Sequence, residues 1–313
     1  MFKLFLSLFQ FILSADTFRI DSTDNLTNHI DNIKGHSIDI TSMIHGHNKQ
    51  NYSYKLKVNQ FINDDIILNN DTLYSPSNGT YLINESIIVP ESIDWRDKNV
   101  VTEVKDQGKC GSCWSFSATG SIESVNAIDT GILKNASEQQ LMDCSIDYGN
   151  NGCKGGLMDN AFKYVIDNGL CSEEEYPYTA QQDTCHLCNS IIKINDYRDI
   201  VPNNEYILKR VVAQQPVSAA IQANLLSFRF YSNGIYSDPN CGTNLDHGIL
   251  IIGYGHDKDY QMDYWIIKNS WGKGWGENGY IRIQRNIDNS SGLCGITLQP
   301  SIPLINPENI VHN

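Results

Sequence analysis

Two patterns in the 313 residues predict an α+β fold of two lobes, the first mainly helical and the second built of strands. From Trp114, the residues Trp114, Ala118, Ile122, Val125 and Ile128 recur every three or four positions, one stripe of an α-helix with Gly131 as its stop. Residues 157–166 read as a second helix, ended by Asn168-Gly169. The runs 216–221, 248–254, 263–268 and 279–283 are short, β-rich and separated by Gly, Asn and Asp, so the second half reads as all-β. A cleft between two such lobes is a natural place for a site. Apolar residues make up 41%, enough to bury a sizeable core.

Upstream of these elements the chain has a different character. Residues 1–15 carry one lysine, an apolar stretch from Leu4 to Leu13, and the small residues Ser14 and Ala15, the make-up of a secretory signal peptide. Residues 16–89 contain no cysteine and five of seven N-x-S/T sequons (Asn25, Asn51, Asn70, Asn78, Asn84; the others are Asn135 and Asn289). Within them, Tyr54, Leu56 and Val58 predict a short strand, and Phe61, Ile62, Ile66 and Ile67 an apolar turn or helix. The polar stretch 69–84, with Ser75-Pro76-Ser77-Asn78-Gly79, reads as a linker, and composition shifts after Pro90.

The charge balance excludes one broad class of partner. Net charge is −13, with six basic against nine acidic residues over 1–89 and 17 against 27 over 90–313. A phosphate-binding surface needs the opposite excess, so no nucleic acid is expected. No interior run reaches the ~20 apolar residues that span a bilayer. Nine cysteines in an oxidising compartment pair as eight and leave one over.

The segment Gln107-Gly108-Lys109-Cys110-Gly111-Ser112-Cys113-Trp114 puts Cys113 at the mouth of the first helix. Unsatisfied backbone N–H groups there favour an anion, which predicts a thiol acidified below its ordinary ~8.5. A thiolate splits amide hydrolysis into two acyl-transfer steps, given a base and a group to orient it. Asp246-His247-Gly248 opens one predicted strand, and Asn269-Ser270-Trp271-Gly272 comes after the next. Competing readings are weaker. A redox or zinc role for Cys110/Cys113 with Cys185/Cys188 lacks a βαβ context, and Gly274-x-Gly276-x-x-Gly279 precedes a strand-like run instead of a helix, so it is turn chemistry. His45, His47, His186 and His256 read as loop residues.

These motifs resemble the papain family of cysteine proteases, in its cathepsin L-like branch. Cys110-Gly111-Ser112-Cys113-Trp114 fits the family's local signature, with His247 at 134 and Asn269 at 156 residues beyond Cys113. Further blocks lie in order: Pro90-Glu91-Ser92-Ile93-Asp94-Trp95-Arg96, Gly152 to Gly156, Tyr176-Pro177-Tyr178, and Asn269 to Tyr280. The resemblance implies a papain-like fold: a helical left domain, an antiparallel β-barrel right domain, and the active-site cleft between them. It divides the chain into signal peptide 1–15, inhibitory propeptide 16–89, left lobe 90–201, and right lobe with a short tail 202–313. It casts Cys113 as nucleophile, His247 as its acid–base partner, Asn269 as orienter, Trp271 as a shield, and the Gln107 side chain with the Cys113 N–H as oxyanion donors. It pairs Cys110 with Cys153, Cys144 with Cys185, Cys171 with Cys188 and Cys241 with Cys294, with exchange of Cys185 and Cys188 left open. Substrate would lie along Gly155, Gly156 and Asp246. A second subsite of Leu157, Met158, Ala220, Leu245 and Gln299 implies preference for a bulky apolar residue at P2, and the absence of a cathepsin B-like paired-His insertion implies an endopeptidase.

For the whole protein, the resemblance implies a monomeric zymogen acting on proteins and peptides, inhibited by its own propeptide. It would need no metal or organic cofactor and reside in the secretory pathway, a lysosome or other acidic vacuole, or outside the cell. The rival is a catalytically silent binding or storage protein, but such proteins usually lose Cys, His or Asn at the site. The pro-segment departs from the family pattern. Only Ile44 and Asn48 keep register with the spaced helical motif, and Asn59 and Phe61 are the two matches in Lys57 to Asn63. An abbreviated propeptide or a missing part of the N-terminus accounts for this, with the segment expected to thread the cleft and be removed near Val89-Pro90.

Overall fold

The computed structural model describes residues 39–62 and 88–306. The expected signal peptide, the cleft-threading stretch, and the sequons at Asn25, Asn70, Asn78 and Asn84 lie outside the described residues. In chain order the helices are Ile40–Lys49 (α1), Cys113–Thr130 (α2), Glu138–Cys144 (α3), Met158–Asn168 (α4), Glu205–Val212 (α5) and Leu226–Arg229 (α6). The strands are Tyr54–Leu56 (β1), Ile93–Asp94 (β2), Leu170–Cys171 (β3), Ser190–Ile192 (β4), Asp196–Asp199 (β5) and Val217–Ile221 (β6). Next come Tyr231–Tyr236 (β7), His247–Asp257 (β8), Met262–Lys268 (β9), Tyr280–Gln284 (β10) and Ser301–Leu304 (β11).

Both predicted helices are present. The stripe from Trp114 forms α2, which ends where Gly131 turns left-handed at φ 73° and donates its N–H to Ala127 O. Trp114, Ala118 and Ile122 pack with Leu141 of α3 and Phe162 and Val165 of α4 into one apolar core. Ser137 caps α3 by accepting from Gln140 N at 3.0 Å. Three disulfides tie this half together: Cys110–Cys153, Cys144–Cys185 and Cys171–Cys188.

The second half is a sheet of strand order β1-β7-β10-β9-β8-β6-β11-β5, with β2 added against β8. Its four predicted runs are β6, β8, β9 and β10. Trp265, Ile267, Ile281, Ile283 and Trp275 fill its core, and Cys241–Cys294 is its disulfide. Three expectations are corrected here. The path has ends at β1 and β5, so no closed barrel forms among the described strands, and β7 pairs with β10 in parallel, not antiparallel. Nor is this half all-β. Asn204 caps α5 by accepting from Ile207 N, and Leu208, Val211 and Val212 give that helix a buried face.

Residues 39–62 dock on this sheet. Strand β1 pairs antiparallel with β7, Lys57 N–H donates to Phe230 O at 2.8 Å, and Asn59 Nδ2 donates to Arg229 O at 2.9 Å. Phe61 sets its ring edge-on to Trp271 at 5.3 Å, and Gln60 Nε2 donates to Trp271 O. Asn48 closes α1 onto β1 by bonding both the N–H and the carbonyl of Leu56. Of the four residues that kept the family pattern, Asn48, Asn59 and Phe61 make these contacts, and Ile44 packs into the apolar core. Among the described residues no helix is long and apolar enough to cross a membrane.

Candidate active site

Cys113 is the first residue of α2 and the one cysteine outside the four disulfides. The chain reaches it through a short, heavily tethered approach: the Cys110–Cys153 bridge, Gly111 N–H donating to Cys153 O, and Ser112 Oγ within 2.6 Å of the Tyr178 hydroxyl. The Gly248 N–H donates to Cys113 Sγ at 3.3 Å. A Cβ on Gly248 would stand 3.1 Å from Cys113 O and Trp114 Cα, so β8 starts this close to the helix only because that residue has no side chain.

The site is closed to solvent, and that decides its electrostatics. Burial pushes the Cys113 thiol up to about 11, against the N–H groups of Gly248 and Trp114 that pull it down. Desolvation outweighs the helix-terminal lowering expected from sequence. Burial likewise takes His247 down to about 4, opposed by its bond to Asn269. Burial therefore disfavours a lone charge on either group.

His247 opens β8, and its Nε2 lies 2.7 Å from Asn269 Oδ1. The same oxygen accepts from Ser270 N–H at 2.8 Å. A backbone N–H can only donate, so the amide atom facing it is oxygen and the imidazole proton sits on Nε2. Nδ1 then carries a lone pair, and it has no hydrogen-bond partner among the described residues. Trp271 lies over the imidazole at 4.7 Å between ring centroids, backed by Phe228 and Trp275. Gln107 is buried beside them: its N–H donates to Ser270 O at 2.8 Å, its Oε1 accepts from Ser270 Oγ at 2.6 Å, and its Nε2 donates to Cys110 O at 2.9 Å.

Four of the five residues expected at a second subsite touch one apolar cluster. Met158 and Ala220 belong to the first lobe's apolar core, and Leu157 and Leu245 pack against it. Gln299 is partly buried at the end of the Cys294 turn. Gly156 has room for no side chain, because a Cβ would lie 2.7 Å from the Trp114 ring, and Gly155 extends at φ 119°. Asp246 turns inward to accept from Ala223 N–H at 2.7 Å, and burial holds its carboxyl up at about 7. The disulfide pairings expected from the resemblance, including Cys185 with Cys144, are the ones present.

Sequence reading missed Ser270, which pins both Gln107 and Asn269, and the Gly248 N–H on the sulfur. It also missed a buried ionic group behind the site. Lys105 bridges Glu138 at 2.7 Å and Glu123 at 3.3 Å, and Lys268 Nζ donates to Thr102 Oγ1 at 2.9 Å. No spacing rule brings these together, since they come from separate elements. Only adjacency to Asn269 could have flagged Ser270 and Lys268.

The thiol at the helix mouth thus lies beside the strand start that carries the oriented imidazole, joined to it by the Gly248 N–H. The chain belongs to the papain family of cysteine proteases, whose family model, "Papain family cysteine protease", matches residues 89–304. It is 46% identical over 280 residues to cysteine proteinase RD21A of Arabidopsis thaliana, covering 84% of this chain and 59% of that one. The chain thus spans about three fifths of that plant relative. It is 49% identical over 231 residues to cathepsin L of Sarcophaga peregrina, covering 72% of this chain and 67% of that one. A crystal structure of the proform of Amb a 11, a ragweed pollen cysteine protease, superposes with TM-score 0.78 at 36% identity, covering 90% of this chain and 94% of that one.

Proposed function

We propose that the protein is a cysteine endopeptidase made as a zymogen, hydrolysing peptide bonds through a Cys113 thioester. The observation that carries the reading is the tautomer of His247. With the proton on Nε2, Nδ1 is the basic nitrogen, ready to take the Cys113 proton. That transfer makes thiolate and imidazolium together, so each new charge offsets the other and no net charge is buried. The thiolate attacks the scissile carbonyl, and the developing oxyanion takes the Cys113 N–H and a Gln107 Nε2 proton. His247 then returns its proton to the leaving amine, and water hydrolyses the thioester by the same route in reverse.

The apolar quartet Leu157, Met158, Ala220 and Leu245 supports a bulky apolar residue at P2, with Gln299 offering an uncharged amide at the pocket floor. Residues 16–89 act as the inhibitory propeptide of a monomer whose mature body runs from about Pro90, as left lobe 90–201 and right lobe 202–313. The docking of β1, Asn59 and Phe61 supports that role, as does the proform among the similar structures. Four disulfides suit the secretory pathway, with a lysosome, acidic vacuole or the extracellular space as destination. The test uses matured protein, a thiol-trapping epoxide peptide and a Phe-Arg fluorogenic substrate under mild reductant. Labelling and turnover in the wild type and neither in Cys113→Ala are expected; cleavage that persists in Cys113→Ala would reject the reading.

A further inference from the structure

Behind Asn269, between α2, α3 and the start of β8, lies a cavity of about 20 Å³. Its walls include Lys105, Phe116, Glu138, Lys268, Asn269 and Ser270. That volume holds one water, and a buried water needs two to four polar partners. Three are present. Asn269 is only 3% exposed, its Oδ1 is committed to His247 and Ser270, and its Nδ2 has no partner among the described residues. Lys268 has three ammonium hydrogens, of which one goes to Thr102 Oγ1. Both Glu138 oxygens bond Lys105, at 2.7 and 2.9 Å, yet each keeps a lone pair.

We propose that this cavity is a water site, and that Lys268 and Glu138 act through the water as positioning residues for Asn269. The water accepts from Asn269 Nδ2–H and from Lys268 Nζ–H and donates to Glu138, which satisfies the one orphaned atom of the orienting amide. The amide is then held at both ends: Oδ1 by Ser270 N–H and His247, Nδ2 by the water. Without the second hold, the amide can swing about its χ2 axis and the imidazole loses its fixed tautomer. Burial that takes Lys268 down to about 8 and Glu138 up to about 8 agrees with a site dry enough for one water to matter.

The inference rests on Asn269 orienting His247, so the test includes both. Lys268→Met keeps the aliphatic stem and removes the donor. In the matured enzyme, well below its melting temperature, kcat should fall about tenfold with KM within about twofold. The downfield His247 Nε2–H proton, tracked by NMR, should exchange faster with solvent. A folded Lys268→Met with wild-type kcat and wild-type exchange overturns the inference. Should that variant fail to fold, Lys268→Met/Glu138→Gln leaves the cluster's net charge unchanged, removes the same ammonium donor, and must show the same split. Asn269→Ala runs alongside. If it is slow while the Lys268 variants match wild type, the water site alone falls; if it is as fast as wild type, the orienting role falls and the water site with it.

Discussion

The two walls of the cleft are built on different principles. The left wall presents Cys113 by backbone: a helix terminus, a disulfide three residues upstream, and main-chain bonds from Gly111 and Gly248. The right wall presents His247 by side chains: Asn269 bonded to Nε2 and Trp271 over the ring, at the start of a strand. A backbone-held group tolerates side-chain substitution nearby and fails when the chain itself is loosened. A side-chain-held group does the reverse. Stability and turnover should therefore separate according to which wall is altered.

The largest effect is expected on the left. Replacing Cys110 and Cys153 together by serine opens a crosslink spanning 43 residues and costs ~4 kcal/mol in the chain-entropy account. Thermal melting of the precursor should show it as a large fall in Tm, while the variant that stays folded at low temperature keeps most of its turnover. A melting point near wild type would mean the left wall holds by packing alone. On the right, Asn269→Ala should lower kcat roughly 10- to 100-fold, because the imidazole loses orientation but keeps its basicity. Alkylation of Cys113 should persist and Tm should move little. Turnover unchanged in that variant would remove the contrast between the walls.

That asymmetry also sets how much of the site was legible in the sequence. The left wall is contiguous, so Cys110 to Trp114 displayed a thiol at a helix start in one string, and the family resemblance supplied the bridge. The right wall is assembled across strands, and only the family spacing linked His247 with Asn269. The helices α2 and α4 and strands β6, β8, β9 and β10 were readable because each has a clear period and a Gly or Asn stop. Openness of the sheet and the parallel β7–β10 pair were not, since strand order is decided by which edges meet, not by local pattern. In the pro-segment, loss of most motif positions hid a docking that needs few of them. Phe61 rests on Trp271, the shield of the right wall. Phe61→Ala should weaken the grip of a separate 40–89 peptide on the matured enzyme by about 5- to 30-fold, the loss of one aromatic contact and its burial. Inhibition that is equally tight without Phe61 would place the latency in β1 and Asn59 instead.

The subtlest prediction concerns Asp246, next to His247 on the right wall. Burial raises its carboxyl from an ordinary 3.8 to about 7, opposed by N–H donors from Ala223 and Asn224. Between those values the folded chain keeps a proton that the unfolded chain has released. The stability tied to that proton is complete below pH 3.8 and is lost as pH rises through 7. His247 acts with the opposite sign: lowered from 6.5 to about 4, it favours the fold above 6.5 and loses that contribution as pH falls toward 4. The two slopes oppose each other in one window, so neither is visible in the wild-type curve alone. Asp246→Asn keeps an acceptor for the Ala223 N–H and removes the titration. In a Cys113→Ala background, which prevents self-digestion, the Tm of the Asp246→Asn protein minus that of its parent should climb steadily from pH 4 to pH 7 and then level off. A difference that stays constant across that range would show that the Asp246 carboxylate is solvated in the folded protein, and that the right wall's electrostatics are set by His247 without its neighbour.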